Sequence, residues 1–221
     1  MFLRSNMIKL TKLAEPQVLI DNKAQWTTQL LGHIARNEKV PPSLSNAYNI
    51  TEVKDNLRSE SNNKCMYCES TVGHISYEHI EHIKPKAKTK FPQLAYEYDN
   101  LGLSCPKCNM NKSDTYDVNN TFINPYVDNP SDHFVSYGAF VWAKSADNRA
   151  KLTEIEIELN RPELLETRGE RLKTIRGLVD SYNRTPNGIL KNALKKEIDI
   201  EIAEDKPYSF CAQKLVQDLL E

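Results

Sequence analysis

The residues with the most chemistry to offer are five cysteines, at positions 65, 68, 105, 108 and 211. Four of them form two C-x-x-C pairs, Cys65-Met66-Tyr67-Cys68 and Cys105-Pro106-Lys107-Cys108. Two residues between thiolates let one tight turn bring both sulfurs onto a single ion. Two such pairs a few tens of residues apart are a signature of tetrahedral Zn²⁺. Cys211 stands alone in an apolar-periodic stretch and reads as a small core residue. Between the zinc pairs lies His74-Ile75-Ser76-Tyr77-Glu78-His79-Ile80-Glu81-His82-Ile83-Lys84-Pro85, and Asn109 directly follows the last of these four cysteines. A structural zinc needs none of these. A carboxylate and an amide carbonyl suit a hard cation such as Mg²⁺. An imidazole beside that ion is the usual acceptor of a proton from water. Together they describe a site that hydrolyses phosphodiesters, with the metal neutralising charge and the base generating the nucleophile. Two acid–histidine pairs compete for the role, Glu78-His79 and Glu81-His82.

The run Glu81-His82-Ile83-x-Pro85, then Asn100-Leu101, then Cys105-x-x-Cys108-Asn109-x-x-Lys112 resembles the HNH endonucleases, and among them those whose ββα-metal finger is pinned by four zinc cysteines. The Ile and Pro after His82 fit that family's pattern, which favours Glu81-His82 over Glu78-His79. The resemblance implies roles. Glu81 takes the place of the acidic metal ligand, which is more often Asp, and His82 that of the general base. Asn100 corresponds to the middle Asn that holds the loop and is not itself a ligand. Asn109 stands at the second metal-ligand position and Lys112 at a basic position facing phosphate. Both substitutions, Glu at 81 and Asn at 109, keep oxygen ligands adequate for Mg²⁺ or Mn²⁺. Weaker similarities outside the finger, in Phe122-Ile123-Asn124-Pro125, Leu159-Asn160-Arg161-Pro162 and Arg168, resemble the HNH subunits of Septu-type and retron-associated anti-phage systems. That resemblance implies an ABC-type ATPase partner. No G-x-x-x-x-G-K-[ST] stretch occurs in the sequence, so a nucleotide gate would belong to another chain.

Residues 79–112 hold six lysines against three acids. Lys84, Lys86, Lys88 and Lys90 alternate, and alternate residues of an extended segment share a face. Beside a nuclease motif such a face is expected to bind backbone phosphate, so Lys84, Lys86 and Lys112 are the candidate nucleic-acid contacts. DNA is the first substrate class and structured RNA such as tRNA the alternative. The competing class is a non-catalytic zinc module that binds nucleic acid or protein. His33, His74, His79 and His133 read as structural histidines.

These residues need elements to position them. The expected fold class is α+β, a ββα-metal HNH finger with structural zinc embedded in a mainly helical body. Residues 1–63 read as a helical segment, with Trp26, Leu30, Leu31 and Ile34 at helical spacing and Thr51 as the cap of a second helix. Residues 64–117 are the finger, with strands expected near 75–82 and 101–104 and a helix from about 106. Residues 118–221 form a mainly helical region packing on it, with an apolar strand near Phe140, a strand or extended edge over 152–159, a helix opened by Pro162, and two more over about 189–204 and 208–220.

Composition sets the outer limits. With 221 residues, 27% charged and a net charge of −1, the chain has an ordinary globular balance and is not coated with basic charge. No run approaches the roughly 18 apolar residues of a membrane helix, and the first residues lack a signal-peptide pattern. The expected location is therefore the cytoplasm.

Overall fold

The computed structural model describes residues 9–73 and 78–220. The chain divides into two compact units. One comprises Leu10–Met66 and Thr71–Thr121, and the other holds Tyr67–Ser70 with the chain from Phe122 onward.

The first unit opens with helix α1 (Gln17–Ala35), a single turn α2 (Pro42–Ser45) and α3 (Thr51–Ser61). Thr51 is the first helical residue of α3 and not its cap: Ile50 occupies the cap position without a side-chain bond. Asn62 ends α3 in the left-handed conformation, which a short polar side chain tolerates, and the chain turns there into the first knuckle. Strand β1 (His79–His82) pairs antiparallel with β2 (Leu101–Ser104), placing Glu81 opposite Gly102 and His82 opposite Leu101. The expected start of this strand at 75–77, like His74, lies outside the described residues. Helix α4 (Pro106–Lys112) follows β2 at once, with Pro106 at its first position. β1, β2 and α4 are the ββα order expected of the finger.

The core of this unit is built from Val53 and Leu57 of α3, Leu101 and Leu103 of β2, Leu19 of α1, and Tyr96. Trp26 of α1 meets the Tyr96 ring edge-on at 5.5 Å, and the Tyr96 hydroxyl donates to Leu44 O at 2.6 Å. Lys12 is threaded inward, donating to Leu101 O at 2.7 Å and pairing with the buried Glu60. The N-terminal helices thus hold β2 and the loop before it from behind.

The second unit contains a one-turn helix α5 (Pro130–His133), the hairpin β3 (Phe134–Tyr137) and β4 (Phe140–Ala143), and helices α6 (Asn148–Glu156), α7 (Pro162–Arg184), α8 (Ile189–Glu201) and α9 (Ser209–Leu220). The hairpin reverses at Gly138, whose φ of +56° is the reason for a glycine there. The extended reading of residues 152–159 is corrected: residues 152–156 lie in helix α6, and 157–159 form the turn that ends it. The Asp147 side chain accepts from Ala150 N and caps the helix. Ala150, Thr153, Glu154 and Ile157 then bury one stripe at helical spacing, while Ile155, counted in the alternating pattern, is exposed. Arg168 is buried and donates to Leu159 O and Ala139 O, and Asn160 pins β4 by bonding both Val141 N and Val141 O. Cys211 lies in this core, where burial pushes its thiol up to about 12. Among the described residues no helix is long and apolar enough to cross a membrane.

Candidate active site and metal centre

The side-chain sulfurs of Cys65, Cys68, Cys105 and Cys108 all lie within 4.8 Å of one another, and all four residues are buried and free of disulfides. Tetrahedral Zn²⁺ with bonds of about 2.3 Å separates its sulfurs by about 3.8 Å, so the cluster fits zinc after a small contraction. The backbone is arranged for it. Met66 N donates to Leu103 O at 2.9 Å, tying the first knuckle to β2, and Cys108 N donates to Cys105 Sγ at the start of α4. Ser70 Oγ lies 3.1 Å from Cys68 Sγ and Arg161 Nη2 lies 4.0 Å from it. A hydroxyl and a guanidinium offset thiolate charge at that corner. Arg161 comes from far along the chain, and the spacing of the cysteines carried no sign of it.

The alternation of β1 sorts the motif onto two faces. His79 and Glu81 share one. Helix α4 lies against it and delivers Asn109, whose Nδ2 donates to Glu81 Oε2 at 2.7 Å, while His79 Nδ1 stands 3.2 Å from Asn109 Oδ1. Glu81 Oε1 pairs with Lys112 Nζ at 2.6 Å. The structure therefore brings Glu81 and Asn109 together. Burial raises the Glu81 carboxyl above its usual range, and the Lys112 ammonium and Asn109 amide oppose that rise without cancelling it. A carboxylate oxygen beside a carboxamide suits a hard divalent cation, which commonly takes one or two carboxylates from the protein and keeps several waters.

Lys112 requires a correction. The expected phosphate-facing side chain is 1% exposed, and its ammonium is spent on Glu81 and on His82 O at 2.9 Å. It neutralises the buried carboxylate and ties α4 to β1. The shared lysine face is also corrected. Residues 83–95 are bent by the bonds Lys90 N to Ala87 O and Phe91 N to Pro85 O, so they do not run extended. Lys86 turns inward, donating to Ser45 O at 2.9 Å with its ammonium over the Tyr48 ring, and burial lowers its pKa. Lys84, Lys88 and Lys90 remain exposed.

His82 occupies the other face. It is buried, its ring meets Tyr48 edge-on at 4.6 Å, and its Nε2 lies 3.0 Å from Ala95 O. A carbonyl only accepts, so Nε2 carries the proton and Nδ1 keeps a lone pair. Burial lowers the pKa of His82 to about 4, which keeps the ring neutral at physiological pH. Asn100 fixes the loop that supplies Ala95. Its Oδ1 accepts from Lys84 N at 2.8 Å, and its Nδ2 donates to Lys84 O at 3.0 Å and Leu94 O at 3.1 Å. Glu78, the acid of the competing pair, turns away to ion-pair with Arg58 of α3. Ala95 acts through its backbone and Tyr48 comes from outside the finger, so neither had a sequence signal.

A family model described as "HNH endonuclease" matches residues 65–115. These residues form an HNH domain, a ββα finger carrying a four-cysteine centre that fits zinc. The chain is also similar to the Septu protein PtuB of Bacillus thuringiensis, 31% identical over 155 residues that cover 70% of this chain and 55% of that protein. It is 29% identical over 205 residues to the Septu protein PtuB of Bacillus mycoides (strain KBAB4), covering 76% of this chain and 68% of that one. The matches thus span about half of the first relative's length and about two thirds of the second's.

Proposed function

We propose that this chain is a metal-dependent HNH endonuclease, cutting nucleic acid as the effector of an anti-phage defence complex gated by an ABC-type ATPase. The observation that carries the nuclease reading is the convergence of Glu81 and Asn109 on one face of the ββα finger, joined by a 2.7 Å bond, while a neutral His82 on the other face of β1 is held by a clamped loop. Glu81 and Asn109 would hold Mg²⁺ or Mn²⁺, which supplies charge neutralisation at the phosphate and leaving oxygen. His82 accepts the proton of the attacking water at Nδ1, and Ala95 O keeps its tautomer and orientation. Asn100 holds the loop. Lys84 contributes positive charge at the surface for backbone phosphate. The defence context and the ATPase rest on the similarity to Septu proteins and on the lack of a nucleotide-binding motif in this sequence.

The test is cleavage of plasmid DNA and of total tRNA with Mg²⁺ or Mn²⁺, with and without a co-expressed ABC-type ATPase of the proposed kind. His82→Ala is expected to lose about 10² to 10⁴-fold in rate. Undiminished cleavage in His82→Ala with loss in His79→Ala would move the base to the other histidine. No cleavage of either nucleic acid, with the partner present, would leave a binding module.

A further inference from the structure

His79 is the histidine that the proposed mechanism does not use, yet its ring is fixed against the same carboxamide as Glu81. The Asn109 amide bridges the two, with Oδ1 on His79 Nδ1 at 3.2 Å and Nδ2 on Glu81 Oε2 at 2.7 Å. Lys112 holds the other oxygen of Glu81, so Oε2 is the oxygen left to face a cation. An amide nitrogen carries no free lone pair for a cation; only its carbonyl oxygen coordinates. For Asn109 to serve beside Glu81, its carboxamide must turn so that Oδ1 takes the Glu81 side. Nδ2 then comes to the place beside the imidazole. A half-buried N–H₂ turned onto hydrocarbon loses a hydrogen bond, whereas one turned onto an unprotonated ring nitrogen keeps it.

We propose that His79 is a positioning residue for the catalytic metal: its Nδ1 accepts from Asn109 Nδ2 and so aims Asn109 Oδ1 at the ion held with Glu81. This rests on the reading of Glu81 and Asn109 as metal ligands. His79 reaches the ion only through Asn109 and is not the proton acceptor.

The experiment is Mn²⁺ binding to the zinc-loaded full chain, followed by the loss of free-Mn²⁺ electron paramagnetic resonance signal. His79→Leu removes the acceptor, and His79→Phe does so while keeping a ring should the leucine variant fold poorly. His79→Asn restores an acceptor close to the position of Nδ1. Thermal unfolding and zinc content check the fold. Expected is a loss of Mn²⁺ affinity of about 10 to 100-fold in His79→Leu and His79→Phe, the usual effect of removing a partner of a metal ligand, with recovery in His79→Asn. Affinity unchanged in the folded leucine or phenylalanine variant, while Glu81→Gln loses it, would overturn the role of His79 and leave the metal site standing. Loss in all three His79 variants would make the ring a direct ligand and overturn the positioning role. Mn²⁺ binding indifferent to both Glu81→Gln and Asn109→Ala would remove the metal site itself, and the proposal with it.

Discussion

Replacing Asn100 with alanine removes three hydrogen bonds at once and changes none of the side chains of Glu81, His82 and Asn109. Lys84 N, Lys84 O and Leu94 O all lose the partner they have in this 6% exposed side chain. At about 1 kcal/mol per bond, the loss is about 3 kcal/mol. The segment from Lys84 to Ala95 then keeps its own turns and the Lys86 bond to Ser45 O, but loses the clamp that joins its two ends. Ala95 O drifts from His82 Nε2, and the ring loses the bond that sets its tautomer. A misplacement of about 1 Å at a reacting group costs about 10²-fold in rate. Urea unfolding measures the first quantity, and amide hydrogen exchange across 84–95 shows where it is lost. Nuclease assay measures the second. Zinc content is expected to stay constant, because Asn100 touches none of the four cysteines. Asn100→Asp sharpens the test. It keeps the bond from Lys84 N but sets a carboxylate oxygen against two carbonyl oxygens. That repulsion raises its folded pKa above the unfolded value, so the variant regains stability as pH falls through the carboxyl range. An alanine variant within about 0.5 kcal/mol of wild type, with unchanged exchange in the loop, would refute the clamp, since surface changes of no structural importance fall in that range.

Three other perturbations have defined outcomes. Lys112→Met leaves the buried Glu81 carboxylate unpaired and is expected to cost about 3 to 5 kcal/mol in chemical denaturation, with recovery in the double variant with Glu81→Gln; a pure phosphate contact would weaken nucleic-acid binding and leave stability unchanged. His82 titrates near 6.5 when unfolded and near 4 when folded, so its contribution is complete above pH 6.5, falls as pH drops from there to 4, and totals about 3 kcal/mol at about 1.4 kcal/mol per pH unit; unfolding free energies from pH 8 to 4, compared with His82→Gln, measure it. Elemental analysis is expected to find one zinc per chain, and Cys65→Ser or Cys108→Ser to lose both the zinc and cooperative unfolding of the finger.

Local spacing was enough to read the parts of this site that lie close together in the chain. Two C-x-x-C pairs can place four thiolates on one ion because each turn is short, and Pro106 after Cys105 announces a helix with Asn109 one turn in. The ββα order follows from the same short segments. The helices after Pro162 were legible from apolar periodicity, whereas residues 152–159 were not: Ile155, Ile157 and Leu159 alternate as a strand does, and only the Asp147 cap and the burial of Thr153 and Glu154 decide for a helix up to Glu156. Charge was the least legible property. A lysine reads the same in sequence whether solvated or buried, and the packing of α4 on β1 turns Lys112 onto Glu81, while Ser45 and Tyr48 draw Lys86 inward. The sequence by itself determined which donors exist and which share a turn. Tertiary structure decided which face each one serves: strand alternation separates His82 from Glu81, and backbone carbonyls such as Ala95 O, which every residue carries, become specific only when a fold aims them.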